Sequence, residues 1–160
     1  MPLVLNSSSI TGLAAVGGLS ARQTGEVLQV VQYIYSSASS TTSTSYVATS
    51  LTNSITPQFS SSKILVIVNC GTTYQSTSAT SALTIYKNNT TDLAPTARGF
   101  GLSSYTGNMP VSFSYLDSPT TTSSTTYTVY MRTNGGTAYL GGSDGGVYTS
   151  SSITLMEIAA

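Results

Sequence analysis

Residues able to do acid–base, nucleophilic or metal chemistry are few in this chain. There is no histidine, which removes the commonest general base and the commonest metal-binding side chain. The five carboxylates are Glu26, Asp92, Asp117, Asp144 and Glu157. They are dispersed, and no two stand close enough in sequence to be paired as a glycosidase dyad, although a fold can join distant residues. Gly141 to Gly145, "GGSDG", spells G-x-S-x-G. A nucleophile elbow with those letters needs a strand-to-helix turn and a histidine partner, so the segment reads as a glycine-rich loop. Asp144 in that loop offers one carboxylate to a cation, where calcium takes six or more oxygens. Asn88-Asn89-Thr90 has the letters of a glycosylation sequon, which matters only in a secretory pathway. Asp117, ahead of Ser118-Pro119, reads as a turn residue. Cys70 follows the apolar run Lys63-Ile-Leu-Val-Ile-Val and reads as a packed core thiol; as the single cysteine it excludes an internal disulfide. The expectation is a protein without catalytic residues, metal or cofactor.

Composition narrows the partners. Of 160 residues, 39% are hydrophobic and 6% charged, with five Lys plus Arg balancing five Asp plus Glu, against a usual charged share of about 25%. Serine and threonine make up about a third of the chain, far above ordinary usage. Disorder needs low hydrophobicity and usually high net charge; here mean hydropathy is +0.13 and Val, Ile, Leu and Tyr are clustered. The reading is a folded all-β protein whose surface is made of hydroxyls. Such a surface has no basic stripe for phosphates, so no nucleic-acid partner is expected. No apolar run approaches the ~20 residues of a membrane span, and the N-terminus lacks the basic and apolar regions of a signal peptide. Zero net charge favours association.

The elements that would carry these residues follow from periodicity. Residues 1–25 are rich in Gly, Ala and Ser, with a Gly17-Gly18 pair that argues against a helix. They read as an attachment arm, and Leu3, Leu5, Ile10, Leu13, Val16 and Leu19 are its candidate docking residues. From Glu26 to Ala160 the chain reads as one domain of about ten short strands. "EVLQVVQYIY" is a strand and "SSASSTTSTS" a loop. "YVATSLT" and "ITPQF" are two strands parted by Asn53-Ser54, with Pro57 placing the second at an edge or end. "SSSKILVIVNCG" is a buried strand, and "SALTIYKNN" a strand closed by Asn88-Asn89. Residues 98–105 are a weaker candidate, and "MPVSFSYLD" sends Val111, Phe113 and Tyr115 one way. "TTYTVYMRTN" puts Tyr127, Val129 and Met131 on one face, Thr128, Tyr130 and Arg132 on the other. Asn134-Gly135-Gly136 is a hairpin signal, followed by "TAYLGG" and "SSITLMEI". No helical period is convincing. An antiparallel jelly-roll sandwich is expected.

In "SSITLMEI", Ile153, Leu155 and Glu157 share one face, and Met156 and Ile158 the other with Thr154. The carboxylate of Glu157 needs a partner on an apolar face; Arg132 and Lys63 are the candidates. A strand apolar on both faces is central to a stack or packed on another subunit. Tyr130 beside Val129, and Tyr86 beside Ile85, repeat the pattern. Tyr130, Met156 and Ile158 are therefore the candidate subunit-interface residues.

At this point "ITPQFSSSKILVIVN", "ATSALTIYKNNT", "PVSFSYLDSPTTTSSTTYTVYMRT" and "SSITLMEIA" resemble a recurrent domain of tailed-bacteriophage virion proteins, found in tail fibres, head fibres and capsid decoration proteins. The resemblance covers about residues 26–160, and Ser112–Arg132 with the C-terminal strand are its most specific parts. It implies a trimeric jelly roll of the tumour-necrosis-factor type, with the last strand central in the sheet that faces the threefold axis. It further implies a virion protein made in the host cytoplasm. Such a protein would be a decoration (cement) protein or a short fibre, the arm docking on the major capsid protein or on a tail or fibre protein. The alternative is a receptor-binding module whose Tyr, Ser, Gly and Asn loops contact a host surface glycan or protein.

Overall fold

The structure is a computed structural model that describes residues 23–94, 96–103, 107–142 and 148–160. The six arm residues expected to dock, and Ser143 to Gly145 of the glycine-rich loop with Asp144, lie outside the described residues. Eleven strands are present: β1 (Val27–Tyr35), β2 (Ser39–Thr41), β3 (Val47–Ile55), β4 (Lys63–Gln75), β5 (Ser81–Lys87), β6 (Thr91–Asp92), β7 (Gly101–Ser103), β8 (Met109–Asp117), β9 (Thr125–Thr133), β10 (Ala138–Leu140) and β11 (Ser151–Ile158). Every pairing is antiparallel, and no helix occurs among the described residues.

The strands form two sheets. The first runs β1-β11-β4-β10-β2, with β8 on the other side of β4; the second runs β3-β9-β5-β6, with β7 also paired to β5. Strand β4 has 13 residues, long enough to hold β11 along Lys63–Asn69 and β10 along Thr73–Gln75 on one side and β8 on the other. Its side chains alternate: Ile64, Val66, Val68 and Cys70 are buried, while Leu65 and Ile67 are half-buried and Lys63 and Asn69 exposed. Between the sheets Ile64, Val66 and Val68 meet Ile153 and Leu155 of β11, Leu51 and Ile55 of β3, Leu83 and Ile85 of β5, and Tyr127, Val129 and Met131 of β9. The fold is thus an all-β antiparallel sandwich. The inward faces expected for "TTYTVYMRTN" and "SSITLMEI" are the ones observed, and Cys70 is 1% exposed.

Three local expectations are corrected. The loop 36–45 contains β2, a serine-threonine strand held by β10. Residues 47–55 are one strand, not two: Asn53 and Ser54 stand opposite Tyr127 and Thr126 of β9, so tertiary pairing overrides their turn preference, and Pro57 lies beyond the strand where no N–H is needed. Asn134-Gly135-Gly136 does not close a hairpin. It carries the chain from β9 in the second sheet to β10 in the first. A type I′ turn needs positive φ at both central residues. Gly136 has φ 64°, but neither Asn134 nor Gly135, one of which is in any central pair, is left-handed, and the buried amide of Gln75 in β4 bonds the Gly135 carbonyl, holding the turn to the other sheet. Asn88 and Asn89, at φ 52° and 57°, do meet that requirement and join β5 to β6. At the end of the expected arm, the Gly25 N–H donates to the Ala159 carbonyl at 2.7 Å.

Candidate functional surfaces

Two carboxylates widely separated in sequence come to one place. Glu157 pairs with Ile64 and Ile64 with Asp117, so both point inward in one row at one end of the first sheet. Neither faces solvent: Glu157 is 0% exposed and Asp117 6%. Asp117 is no turn residue. It ends β8, accepts the Tyr127 hydroxyl at 2.7 Å and is paired with Lys87 Nζ at 3.1 Å, the ion pair found among the described residues. Burial, and then the bond to Asp117, push the Tyr127 phenol far above its ordinary range. The network ties β8 of the first sheet to β5 and β9 of the second.

Glu157 is partnered by neither Arg132 nor Lys63. Its Oε2 accepts from Gln29 Nε2, and its Oε1 accepts from the backbone N–H of Gln58 at 2.8 Å and of Phe59 at 3.3 Å. Burial alone would raise its pKa; the Gln29 amide and the two N–H groups outweigh that and hold it below the usual carboxylate value. The reason for the correction is positional. Lys63 follows the outward side of β4, and Arg132 lies on the second sheet, where it donates to the Ala97 carbonyl at 2.8 Å and sits 5.1 Å from the Tyr46 ring centre. The Gln58–Phe59 turn, just after β3, is what reaches Glu157. Burial likewise pushes the Cys70 thiol up to about 12, so it is an unreactive core group. Among the described residues no three acidic, cysteine or histidine side chains gather where a metal could bind.

The sandwich has two outer faces of different character. On the first sheet, Val30, Met156, Leu65 and Leu116 are direct cross-strand neighbours in one row over β1, β11, β4 and β8. Val30 is 54% and Leu116 47% exposed. Ile158, paired with Val27 and Lys63, and Ile67, paired with Thr154, extend the patch on either side. The one charge in these rows is Lys63. On the second sheet, Thr52, Thr128, Tyr86 and Asp92 form the equivalent row over β3, β9, β5 and β6. Hydroxyl pairs link Thr52 to Thr128 and Ser54 to Thr126, each at 2.8 Å. Tyr86 stacks on Tyr130 with ring centres 4.0 Å apart, and Tyr46 leans on Tyr86 at 6.4 Å. The Tyr46 phenol is raised chiefly by burial, against the pull of Arg132.

Of the three expected interface residues, Met156 and Ile158 therefore share the apolar face, and Tyr130 lies on the opposite sheet. Val30, Leu65 and Leu116, which complete the apolar row, escape sequence reasoning. Each is an ordinary strand residue until the register sets the four side by side.

No family model matches the chain, and no curated protein matches it.

Proposed function

We propose that the chain is a non-enzymatic structural protein of a tailed-phage virion, a capsid decoration protein or short fibre, assembled as a homotrimer through the outer face of the first sheet. The apolar row Val30–Met156–Leu65–Leu116 carries this reading. A contiguous apolar patch rimmed by Ser, Thr and Asn marks a protein contact rather than a tolerated surface, and its single charge, Lys63, stands at the end of β4, away from the centre of the row. Strand order supports the jelly-roll form. Taking the eight main strands β1, β3, β4, β5, β7, β8, β9 and β11 in turn, neighbours run first-eighth-third-sixth in one sheet and second-seventh-fourth-fifth in the other. That alternation between sheets is the nesting of two Greek keys. The inward, fully partnered state of Asp117 and Glu157 supports the non-enzymatic reading.

Residues 1–25 are the arm, docking on the major capsid protein or on a tail or fibre protein, and the particle surface is where the protein resides. Sedimentation of the purified protein tests the assembly: a monomer at micromolar concentration refutes it. Deleting residues 1–22 tests the arm. The head stays trimeric and incorporation into particles is lost; normal incorporation refutes the arm.

A second reading, attachment to the host surface, is favoured by one observation. The outer face of the second sheet gathers Tyr46, Tyr86, Tyr130 and Arg132 amid hydroxyls, the composition of an adaptable contact surface.

A further inference from the structure

Four basic residues lie among the described ones: Lys63, Lys87, Arg98 and Arg132. Lys87 is held by Asp117. Both arginines line one cleft on the outer face of the second sheet. Its origin is a cross-strand row: Leu102 of β7, Ala82 of β5 and Arg132 of β9 stand side by side. The Ala82 methyl between two long side chains leaves a dip of about 150 Å³, lined also by Thr80, Arg98 and Asn134. The end of the dip is shut by reciprocal bonds, Asn134 N–H to the Thr80 carbonyl at 3.0 Å and Thr80 N–H to Asn134 Oδ1 at 2.6 Å. Arg98 is set beside it by Gly99, whose φ of +71° and tight contact with the Leu83 carbonyl draw the loop onto β5. Any side chain at position 99 would strike that carbonyl.

We propose that this cleft binds a carboxylate-bearing saccharide, with Arg98 and Arg132 holding the carboxylate, Ala82 and Leu102 receiving an apolar face of the sugar ring, and the Asn134 amide meeting a ring hydroxyl. The proposal rests on the host-surface reading and names the chemistry that surface takes. Three observations carry it. First, neither guanidinium has a carboxylate partner among the described residues. Asp92, the acid on this face, is turned to the Thr84 hydroxyl and the Ala94 N–H. Arg132 bonds the neutral Ala97 carbonyl at 2.8 Å, so two cations lining one cleft keep their charge uncompensated there, a local field that selects an anion. Second, arginine matches a planar carboxylate through paired N–H bonds. Arginine pairs with phosphate as well, but the backbone N–H groups that would add a phosphate nest, those of Thr80, Asn134 and Gly99, are already bonded. Third, Leu102 is 46% exposed at the rim, an apolar contact that a free inorganic ion would leave unused.

The test is a calorimetric and NMR titration of the full chain with trigalacturonate, its neutral methyl ester, inorganic phosphate and a polyglutamate peptide, alongside attachment of labelled protein to host cells. Trigalacturonate is expected to bind, shifting the Ala82 and Leu102 resonances, and the ester to bind roughly tenfold or more weakly. Arg98→Ala, at an exposed side chain, is expected to produce a loss of the same size with an unchanged thermal transition. Arg98→Glu should abolish binding. Equal binding of acid and ester, preference for phosphate or for polyglutamate, or indifference to Arg98→Ala with the fold intact would each overturn the proposal. Cell attachment unaffected by Arg98→Glu overturns the cleft but keeps the host-surface reading. Trigalacturonate binding without cell attachment keeps the cleft and overturns that reading.

Discussion

On the outside of the first sheet Val30, Met156, Leu65 and Leu116 stand in a row; on the outside of the second, the matching row is Thr52, Thr128, Tyr86 and Asp92. The inner faces of the two sheets are alike, both closed by Val, Ile, Leu and Tyr. The outer faces differ in what water can satisfy. Water satisfies a face of hydroxyls, which also bond to one another across strands. It does not satisfy a face of four adjacent aliphatic side chains, at ~25 cal/mol for each Å² of apolar surface left wet. In a chain with 6% charged residues, one outer face is built of Thr, Ser and Tyr, and the other is the face proposed above to meet a second copy.

The sharpest way to break this comparison is a charge in the centre of the apolar row. For the homotrimer proposed above, Met156→Asp is expected to give folded monomers, because like charges would be brought together and desolvated at the contact. Tyr130→Asp, on the hydroxyl face, is expected to leave the proposed trimer whole. Analytical ultracentrifugation of both variants decides it, and dissociation by Tyr130→Asp alone would exchange the roles of the two faces.

The inner side of the same strand sets the next scale. Leu155 is 0% exposed between the sheets, and Leu155→Ala should cost about 2–5 kcal/mol through the cavity left behind. Chemical denaturation should show that loss, and should show it equally in a monomeric Met156→Asp background, since the cavity is internal to one subunit.

Acid should probe the inside while sparing the outside. Glu157 has a folded pKa below its unfolded value of about 4.3. Its contribution is therefore full above that unfolded value and is lost as pH falls through the lower, folded one. Thermal stability is expected to fall below about pH 4, and Glu157→Gln should flatten that limb while costing about 1–3 kcal/mol at neutral pH, since the Gln58 and Phe59 N–H groups lose a charged acceptor. An acid limb of the same steepness in Glu157→Gln would assign it to other carboxylates.

The smallest effect belongs to the hydroxyl face. Thr52→Val removes one half of the 2.8 Å pair with Thr128 and should cost about 0.5–1.5 kcal/mol with no change in assembly. A change in subunit number from this substitution would mean that the hydroxyl face, too, is a protein contact.

Much of the sandwich is legible in the chain itself. Alternation with period two assigns Tyr127, Val129 and Met131, and Ile153 and Leu155, to the interior, because successive strand side chains must point oppositely. Cys70 after a six-residue run starting at Lys63 can scarcely be elsewhere than in the core. The misreadings share one cause. Asn53-Ser54 and Asn134-Gly135 carry turn preferences, but the first is held in a strand by β9 and the second is drawn across by Gln75. Local propensity is worth tenths of a kcal/mol to about 1, less than the pairing and buried bonds that oppose it.

Composition and periodicity by themselves determined that this is a hydroxyl-coated all-β chain without histidine chemistry, which side chains of each strand share a face, and that its last strand is apolar on both sides. Only the tertiary structure decided which strands are neighbours. From that alone come the row Val30–Met156–Leu65–Leu116, the placing of Tyr130 on the opposite sheet, the choice of Gln29 and the Gln58–Phe59 turn as partners of Glu157, and the cleft over Ala82 between two arginines. The physical reason is that a strand's alternation is written in adjacent residues, whereas its register is fixed by contacts between distant segments, as in the Gln29–Glu157 bond across 128 positions, and a shift of one residue would exchange every face.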